Sequence, residues 1–320
     1  MNDQRIYIGA PDQLGEGIQY VAPEIHGRVF VKPNLTFPEY RPGVTTNPDI
    51  MLPLLKYLKS VASEVIVGES DGGNNSFKAQ VAFAGHALDV ICEHTGVKLV
   101  NLSEVPSMDL SGEVLGKPVT VRIPVLLREI DYFVSVPVMK VHAMTGVSLG
   151  LKNLWGCLPD TMRMMRHHEL PDILALLSSY LKPITVVDGT WALDGHGPMY
   201  GTPVQRNLLV IGNNAVATDG TACVLMGINP EKIQHIRVAS DYGLGRLGYH
   251  QSIYNTDWWH HVRRFKLNRT PLDYLSLLPF HSRMLSQLAW NSPVSKSLKV
   301  IAHMFRNGHE KEIAKEVRAK

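Results

Sequence analysis

Glu64–Gly73 reads EVIVGESDGG, a short β-branched run that passes directly into small, polar and glycine residues. An apolar run of this length, closed at once by turn formers, suits a strand covered on both faces. The same grammar recurs to either side: Arg28–Val31 (RVFV), Tyr132–Val136 (YFVSV), Ile184–Val187 (ITVV) and Leu208–Ile211 (LLVI). Between these runs lie helical patterns at Pro48–Ser60, Phe77–His94, Pro171–Leu181 and Ala215–Met226. Strand and helix alternate, so the expected fold is α/β, with a mostly parallel sheet and flanking helices. Asn47 is a suitable N-cap for the first of these helices, with Pro48 at its first helical position.

The chain of 320 residues is 45% hydrophobic and 19% charged, which places it in the globular range and outside the disordered one. The opening MNDQRIYIGA has no basic region followed by an apolar one, and no apolar run approaches the roughly 18 residues of a spanning helix. A cytoplasmic location follows as the expectation, with peripheral membrane contact as its variant. The 3 cysteines, Cys92, Cys157 and Cys223, are too few and too scattered for a disulfide framework or a four-cysteine cluster, and reduced, buried thiols are expected.

The net charge of +3 conceals an asymmetry: residues 1–250 carry 20 Lys and Arg against 24 Asp and Glu, whereas residues 251–320 carry 12 against 5. The reading is a core domain over 1–250 and a basic, aromatic helical extension over 251–320. Pro271, Pro279 and Pro293 break that extension into short pieces, and Glu310–Lys320 forms a charged terminal helix pattern. Trp258, Trp259, Phe265, Leu267 and Tyr274 stand among Arg263, Arg264, Lys266 and Arg269. That mixture suits an anionic membrane surface or a lipid-linked substrate, but equally a cap on the core or a homo-oligomer contact. An acidic main domain without a reading motif disfavours nucleic acid.

Position carries the functional reading. In open α/β sheets, ligands bind beyond the carboxyl ends of strands, where the polar residues of this chain gather. RVFV leads into Lys32 and Asn34; EVIV into Glu69 and Asp71; YFVSV into Lys140 and His142; ITVV into Asp188 and then Asp194. Two lysines at strand ends suit a phosphate or carboxylate, although a lysine can also reach out from a strand end merely to meet an acid. Glu69, Asp71, Asp188, Asp194 and Asp219 are candidates for a divalent metal site, with His142 or His196 favouring a transition metal. Their spacing matches no metal motif, and Asp–Gly pairs also make ordinary turns.

The segment Lys140–Gly156, KVHAMTGVSLGLKNLWG, places Lys152 and Asn153 after a helix-like stretch that contains Gly146 and Gly150. G-x-x-x-x-G-K-[ST] and G-x-S-x-G are both absent, so neither a phosphate loop nor a serine elbow is indicated. His167, His168 and Glu169 read as a surface or lid cluster. Cys157 reads as a small buried hydrophobe in preference to a nucleophile.

In motif order the chain resembles the domain-of-unknown-function 362 family. The shared segments are VKPNL (Val31–Leu35), TTNPDI (Thr45–Ile50), PVMKVH (Pro137–His142), GLKNLWG (Gly150–Gly156), VVDGTWALDGHGPMYGTP (Val186–Pro203) and VATDG (Val216–Gly220). The resemblance implies no particular reaction. Some members carry ferredoxin-like cysteine runs, but this chain has no C-x-x-C-x-x-C, so no iron–sulfur cluster is expected from it.

The combined expectation is an enzyme for an anionic small molecule, with a divalent metal of unspecified identity. His142 would transfer protons, with Lys140 and Lys152 beside it. Lys32, Asn34 and Asn153 would hold the substrate, and the acids the metal. A non-catalytic ligand- or metal-binding module and a membrane-peripheral assembly protein are the alternatives.

Overall fold

The computed structural model describes residues 4–247 and 257–269, together with 274, 277, 278, 282–285 and 287. The chain enters as β1 (Ile6–Gly9) and α1 (Leu14–Val21), followed by β2 (Arg28–Pro33), α2 (Pro48–Val61) and β3 (Glu64–Glu69). Next come α3 (Ala79–Gly85), α4 (Leu88–Thr95) and β4 (Lys98–Asn101), then a hairpin of β5 (Ser107–Val114) and β6 (Lys117–Pro124). β7 (Tyr132–Val136), β8 (Val138–His142) and β9 (Gly146–Ser148) precede α5 (Gly150–Asn153) and α6 (Leu170–Leu181). The long strands β10 (Ile184–Asp194) and β11 (Thr202–Gly212) lead to α7 (Ala215–Leu225) and α8 (Gln234–Asp241).

The main sheet runs β1-β11-β10-β7-β2-β3-β4, with β8 on β10 beyond β7 and β9 on β8. Its strands are apolar on both sides because both sides are covered. Val29, Val31, Val65 and Val67 join a core with α1 to α4, whereas Phe30 and Ile66 join the opposite core with α5 to α8. Each such side chain contributes roughly 1.5–3 kcal/mol on burial.

The α/β class stands, but the sheet is mixed and not mostly parallel. The pairs β10–β7, β7–β2, β2–β3 and β3–β4 are parallel, whereas β11 runs antiparallel to β10 and to β1. The cause is the segment DGHGPMYGT (Asp194–Thr202), which turns the chain back as a hairpin with no crossover helix. Here the Asp–Gly pair at Asp194 makes the ordinary turn that its composition also allows.

Two further local expectations change. The pattern at Phe77–His94 is two helices, because Ala87 adopts a left-handed conformation (φ 53°) between α3 and α4. The helix-like stretch before Lys152 is instead the β8–β9 hairpin followed by α5, and Gly146 supplies the positive φ (81°) that admits β9. At α2, Asn47 Oδ1 accepts the Asp49 N–H at 3.0 Å, the cap that the sequence indicates.

Part of the basic tail lies on the core. Phe265 is buried, its N–H donates to the Met226 carbonyl at 2.8 Å, and Arg263 N–H donates to Leu225 at 2.9 Å. Lys266 and Asn268 bracket Gly195 through backbone hydrogen bonds, and Arg269 Nε donates to the Ala143 carbonyl at 2.6 Å. Pro271, Pro279 and Pro293, and the Glu310–Lys320 pattern, lie outside the described residues. No helix among the described residues is long and apolar enough to cross a membrane.

Candidate functional site

Lys32 is the fifth residue of β2 and is buried to 1% exposure, where a lone ammonium would be costly. Its Nζ donates to Glu69 Oε2 at 2.7 Å, to the Pro33 carbonyl at 3.0 Å and to Asn153 Oδ1 at 3.5 Å. Glu69 ends the neighbouring strand β3; its other oxygen accepts Ser70 N–H at 3.0 Å. Asn153 is fixed from the other side, its Nδ2 donating to the Lys32 carbonyl at 3.1 Å and to Ser135 Oγ at 3.0 Å.

Lys140, on β8, is equally buried and meets no carboxylate among the described residues. Its Nζ donates to the Val44 carbonyl at 2.6 Å and to Asn34 Oδ1 at 3.5 Å. Lys152, on α5, has its Nζ 5.7 Å from the Trp155 ring centre, and no acceptor among the described residues meets it. Arg163 lies in a 3-10 run, Thr161–Glu169, and its guanidinium donates only to carbonyls: Asp71 at 2.9 Å, Asp160 at 3.0 Å and Leu158 at 3.3 Å.

All four cations line one cavity of about 110 Å³, together with Asn34, His142, Asn153 and Trp155. Glu69 is the one carboxylate in that lining. The six residues expected to hold or act on a substrate, Lys32, Asn34, Lys140, His142, Lys152 and Asn153, therefore share a single cavity.

The crowding of positive charge shows in the acid–base properties. Burial, then the ammonium groups of Lys152 and Lys32, push the Lys140 pKa down to about 7. Burial, then Arg163 and Lys32, bring Lys152 down to about 7 as well. His142 is driven well below the usual imidazole range by burial and by Lys152 and Lys140. It does not titrate near neutrality as expected from its residue type. Its Nδ1 accepts the Met144 N–H at 3.2 Å, so the neutral ring carries its proton on Nε2 and acts as a fixed donor.

The five acids do not form the expected metal centre. Asp71 is held below its ordinary pKa despite burial, because it accepts from Lys78 at 2.8 Å, Ala79 N–H at 2.9 Å and Asn101 at 2.9 Å. Asp188 accepts Asn47 N–H at 2.8 Å and Thr190 Oγ1 at 2.6 Å, tying α2 to β10. Asp194 accepts Gly195 N–H at 2.8 Å and Lys266 N–H at 2.6 Å, and so fastens the tail. Asp219 accepts Gly150 N–H at 2.7 Å and Leu151 N–H at 2.9 Å. Among the described residues, no three His, Cys, Asp or Glu side chains are grouped to hold a metal ion. Each carboxylate instead serves a local backbone or ion-pair task.

Asp219 has a consequence for the site, because the helix start that it caps carries Lys152 and Asn153. Asp219→Ala would orphan two buried N–H groups at about 1–3 kcal/mol each. A loss of roughly 2–5 kcal/mol in urea unfolding is the expected outcome.

Two lining residues were not foreseen, Trp155 and Arg163. The indole Nε1–H of Trp155 is buried without an acceptor among the described residues, and its ring lies 5.0 Å from that of His167. His167 is thus buried and not a surface residue, whereas Arg166 and Glu169 form the outward pair at 2.7 Å. The cationic run TMRMMRHHE was the available signal, but only the 3-10 path turns Arg163 inward. Cys157 is fully buried, and burial pushes its thiol up to about 12, in keeping with a packing role. A larger groove of about 510 Å³ between α1, α2 and the β10–β11 pair includes Asp12, Asp49 and Trp191, but no lysine or arginine. Chemistry, not volume, singles out the smaller cavity.

Comparison with known proteins adds three findings. A thylakoid-associated protein of Synechocystis sp. (strain ATCC 27184 / PCC 6803 / Kazusa) is 25% identical over 234 residues, 68% of each chain. The lactate racemase apoprotein from Thermoanaerobacterium thermosaccharolyticum superposes with a TM-score of 0.44 at 12% identity. That alignment covers 74% of this chain and 56% of the racemase, so the chain spans just over half of that structure, and a likeness this slight carries no argument. The family described as "Domain of unknown function (DUF362)" matches residues 29–224, which include every residue of the cationic cavity. Since that match spans more than half of the sequence, the chain belongs to the DUF362 family.

Proposed function

We propose that this protein is an enzyme that binds a small phosphate- or carboxylate-bearing molecule in the cavity between β2, β3, β8 and α5. One observation carries the reading: Lys32, Lys140, Lys152 and Arg163 line the cavity against the single carboxylate of Glu69. An unbalanced buried charge of this kind is costly unless an anion completes it. His142 supplies a neutral N–H, while Lys140 and Lys152, both near pKa 7, are the groups able to exchange protons at neutral pH. No step is assigned to a metal, because Glu69 is paired with Lys32 and the other four acids are engaged outside the cavity lining.

Calorimetric titration of the full chain with sulfate, phosphate and acetate tests the binding. Sulfate or phosphate binding that is lost in Lys140→Met supports the site, and no binding of any of the three removes it. Kinetic comparison of Lys140→Met and His142→Gln separates an enzyme from a carrier once a substrate is found: a carrier loses binding with no separable turnover step.

A second reading has its own observation. In the described part of the tail, Trp259, Val262, Tyr274, Leu278 and Met284 are exposed close in sequence to Arg263, Arg264, Lys266 and Arg269. Similarity to a thylakoid-associated protein fits peripheral contact with an anionic membrane. The full chain should then float with anionic liposomes while a chain ending near residue 249 does not. Equal failure of both to float removes the idea.

A further inference from the structure

The three lysines of the cavity are not equivalent. Lys32 is occupied by Glu69, and Lys140 is tied to the Val44 carbonyl and to Asn34. Lys152 alone of the three has no hydrogen-bond acceptor among the described residues, and it faces the Trp155 ring. The cavity lining also includes His142, whose neutral Nε2–H is a donor, and Trp155, whose buried Nε1–H meets no hydrogen-bond partner among the described residues. Cations already held in place suit a carboxylate, neutral donors suit a carbonyl oxygen, and an untethered amine suits a carbonyl carbon.

We propose that Lys152 is a nucleophilic amine that forms an imine with a small oxo acid, whose carboxylate is held by Lys140 and Arg163. This rests on the anion-binding reading above and specifies its ligand. The Lys152 lone pair adds to the carbonyl carbon, and the C=O π pair moves to oxygen, which takes a proton from the new C–N nitrogen. The resulting hydroxyl accepts a second proton from the Lys140 ammonium and leaves as water as the nitrogen lone pair closes the C=N bond. The product is a protonated imine, and solvent reprotonates Lys140. No oxidant, reductant or metal is needed. The depressed basicity of Lys152 supports the role, since at neutral pH much of it is the free amine that attacks.

The test is reductive trapping on the full chain, with pyruvate as the probe and sodium cyanoborohydride as the hydride source, followed by intact-mass measurement and peptide mapping. The expected result is one dominant adduct, at Lys152, suppressed by sulfate. Acetone, which lacks the carboxylate, should label Lys152 at least ~10-fold more slowly, the scale of a lost charge-assisted contact. Lys152→Arg, if folded by circular dichroism, should lose the adduct. Labelling of Lys152 no faster than surface lysines, in a protein that binds sulfate calorimetrically, overturns the imine and leaves the anion site standing. Absence of both sulfate binding and labelling overturns both. Glyoxylate, which is smaller, serves as a second probe, so that steric exclusion of pyruvate is not mistaken for lack of reactivity.

Discussion

Lys152→Met is expected to melt several degrees above the unaltered protein at about pH 6 without added anions, and to lose about tenfold or more in sulfate affinity. Removing a surface or ion-paired lysine does neither, since such a side chain costs little in the folded state. Lys152 differs because its ammonium meets no acceptor among the described residues and stands among Arg163, Lys32 and Lys140. Its folded pKa, about 7, lies below the ordinary value of 10.5. Below pH 7 the group is charged in both states, so the folded protein carries the full penalty of crowding. Between about 7 and 10.5 the folded chain releases that proton while the unfolded chain keeps it, so stability rises with pH. The advantage of Lys152→Met should therefore shrink towards pH 10. A lower melting temperature at pH 6 would mean that Lys152 is structural.

Glu69→Gln should act in the opposite direction on stability, and strongly. Gln preserves the shape of the side chain and one acceptor, but strips Lys32 of its counter-charge in a cavity that already holds three other cations. Breaking a buried pair in this way costs about 3–5 kcal/mol. Because the lost charge is the one anion in the cavity lining, sulfate should bind the variant more tightly and restore part of the deficit. Urea unfolding with and without sulfate reads both effects. If the variant is destabilised and sulfate restores no more stability than it adds to the unaltered protein, Glu69 is not the counter-charge that the site geometry implies.

The strands were legible because burial on both faces leaves a plain mark: RVFV, EVIV and YFVSV can only be interior, and their ends place Lys32, Glu69 and Lys140 near a rim. The mixed direction of the sheet was not legible, because Asp194–Thr202 offers the same Asp and Gly residues to a hairpin as to a binding loop. Lys32, Asn34 and Lys140 were placed near the rim for a related reason, since β2 and β8 deliver them, whereas Lys152 and Asn153 come from α5. The tasks of the acids were not legible. The role of Asp219 is decided by backbone N–H groups at Gly150 and Leu151, and that of Asp194 by Lys266, partners far along the chain whose meeting no local pattern records. Trp155 and Arg163 were hidden for a similar reason, since their inward direction depends on the short helical turns after α5.

Sulfate titration calorimetry across pH tests most directly whether the cavity is an anion site completed by protonated lysines. Binding should be present at about pH 6 and weaken above about pH 7, by up to about tenfold per pH unit for each of Lys140 and Lys152 as they lose their protons. In that range, buffers of different ionisation enthalpy should reveal proton uptake on binding. No binding at pH 6, or an affinity unchanged between pH 6 and pH 9 with no proton uptake, would contradict that reading.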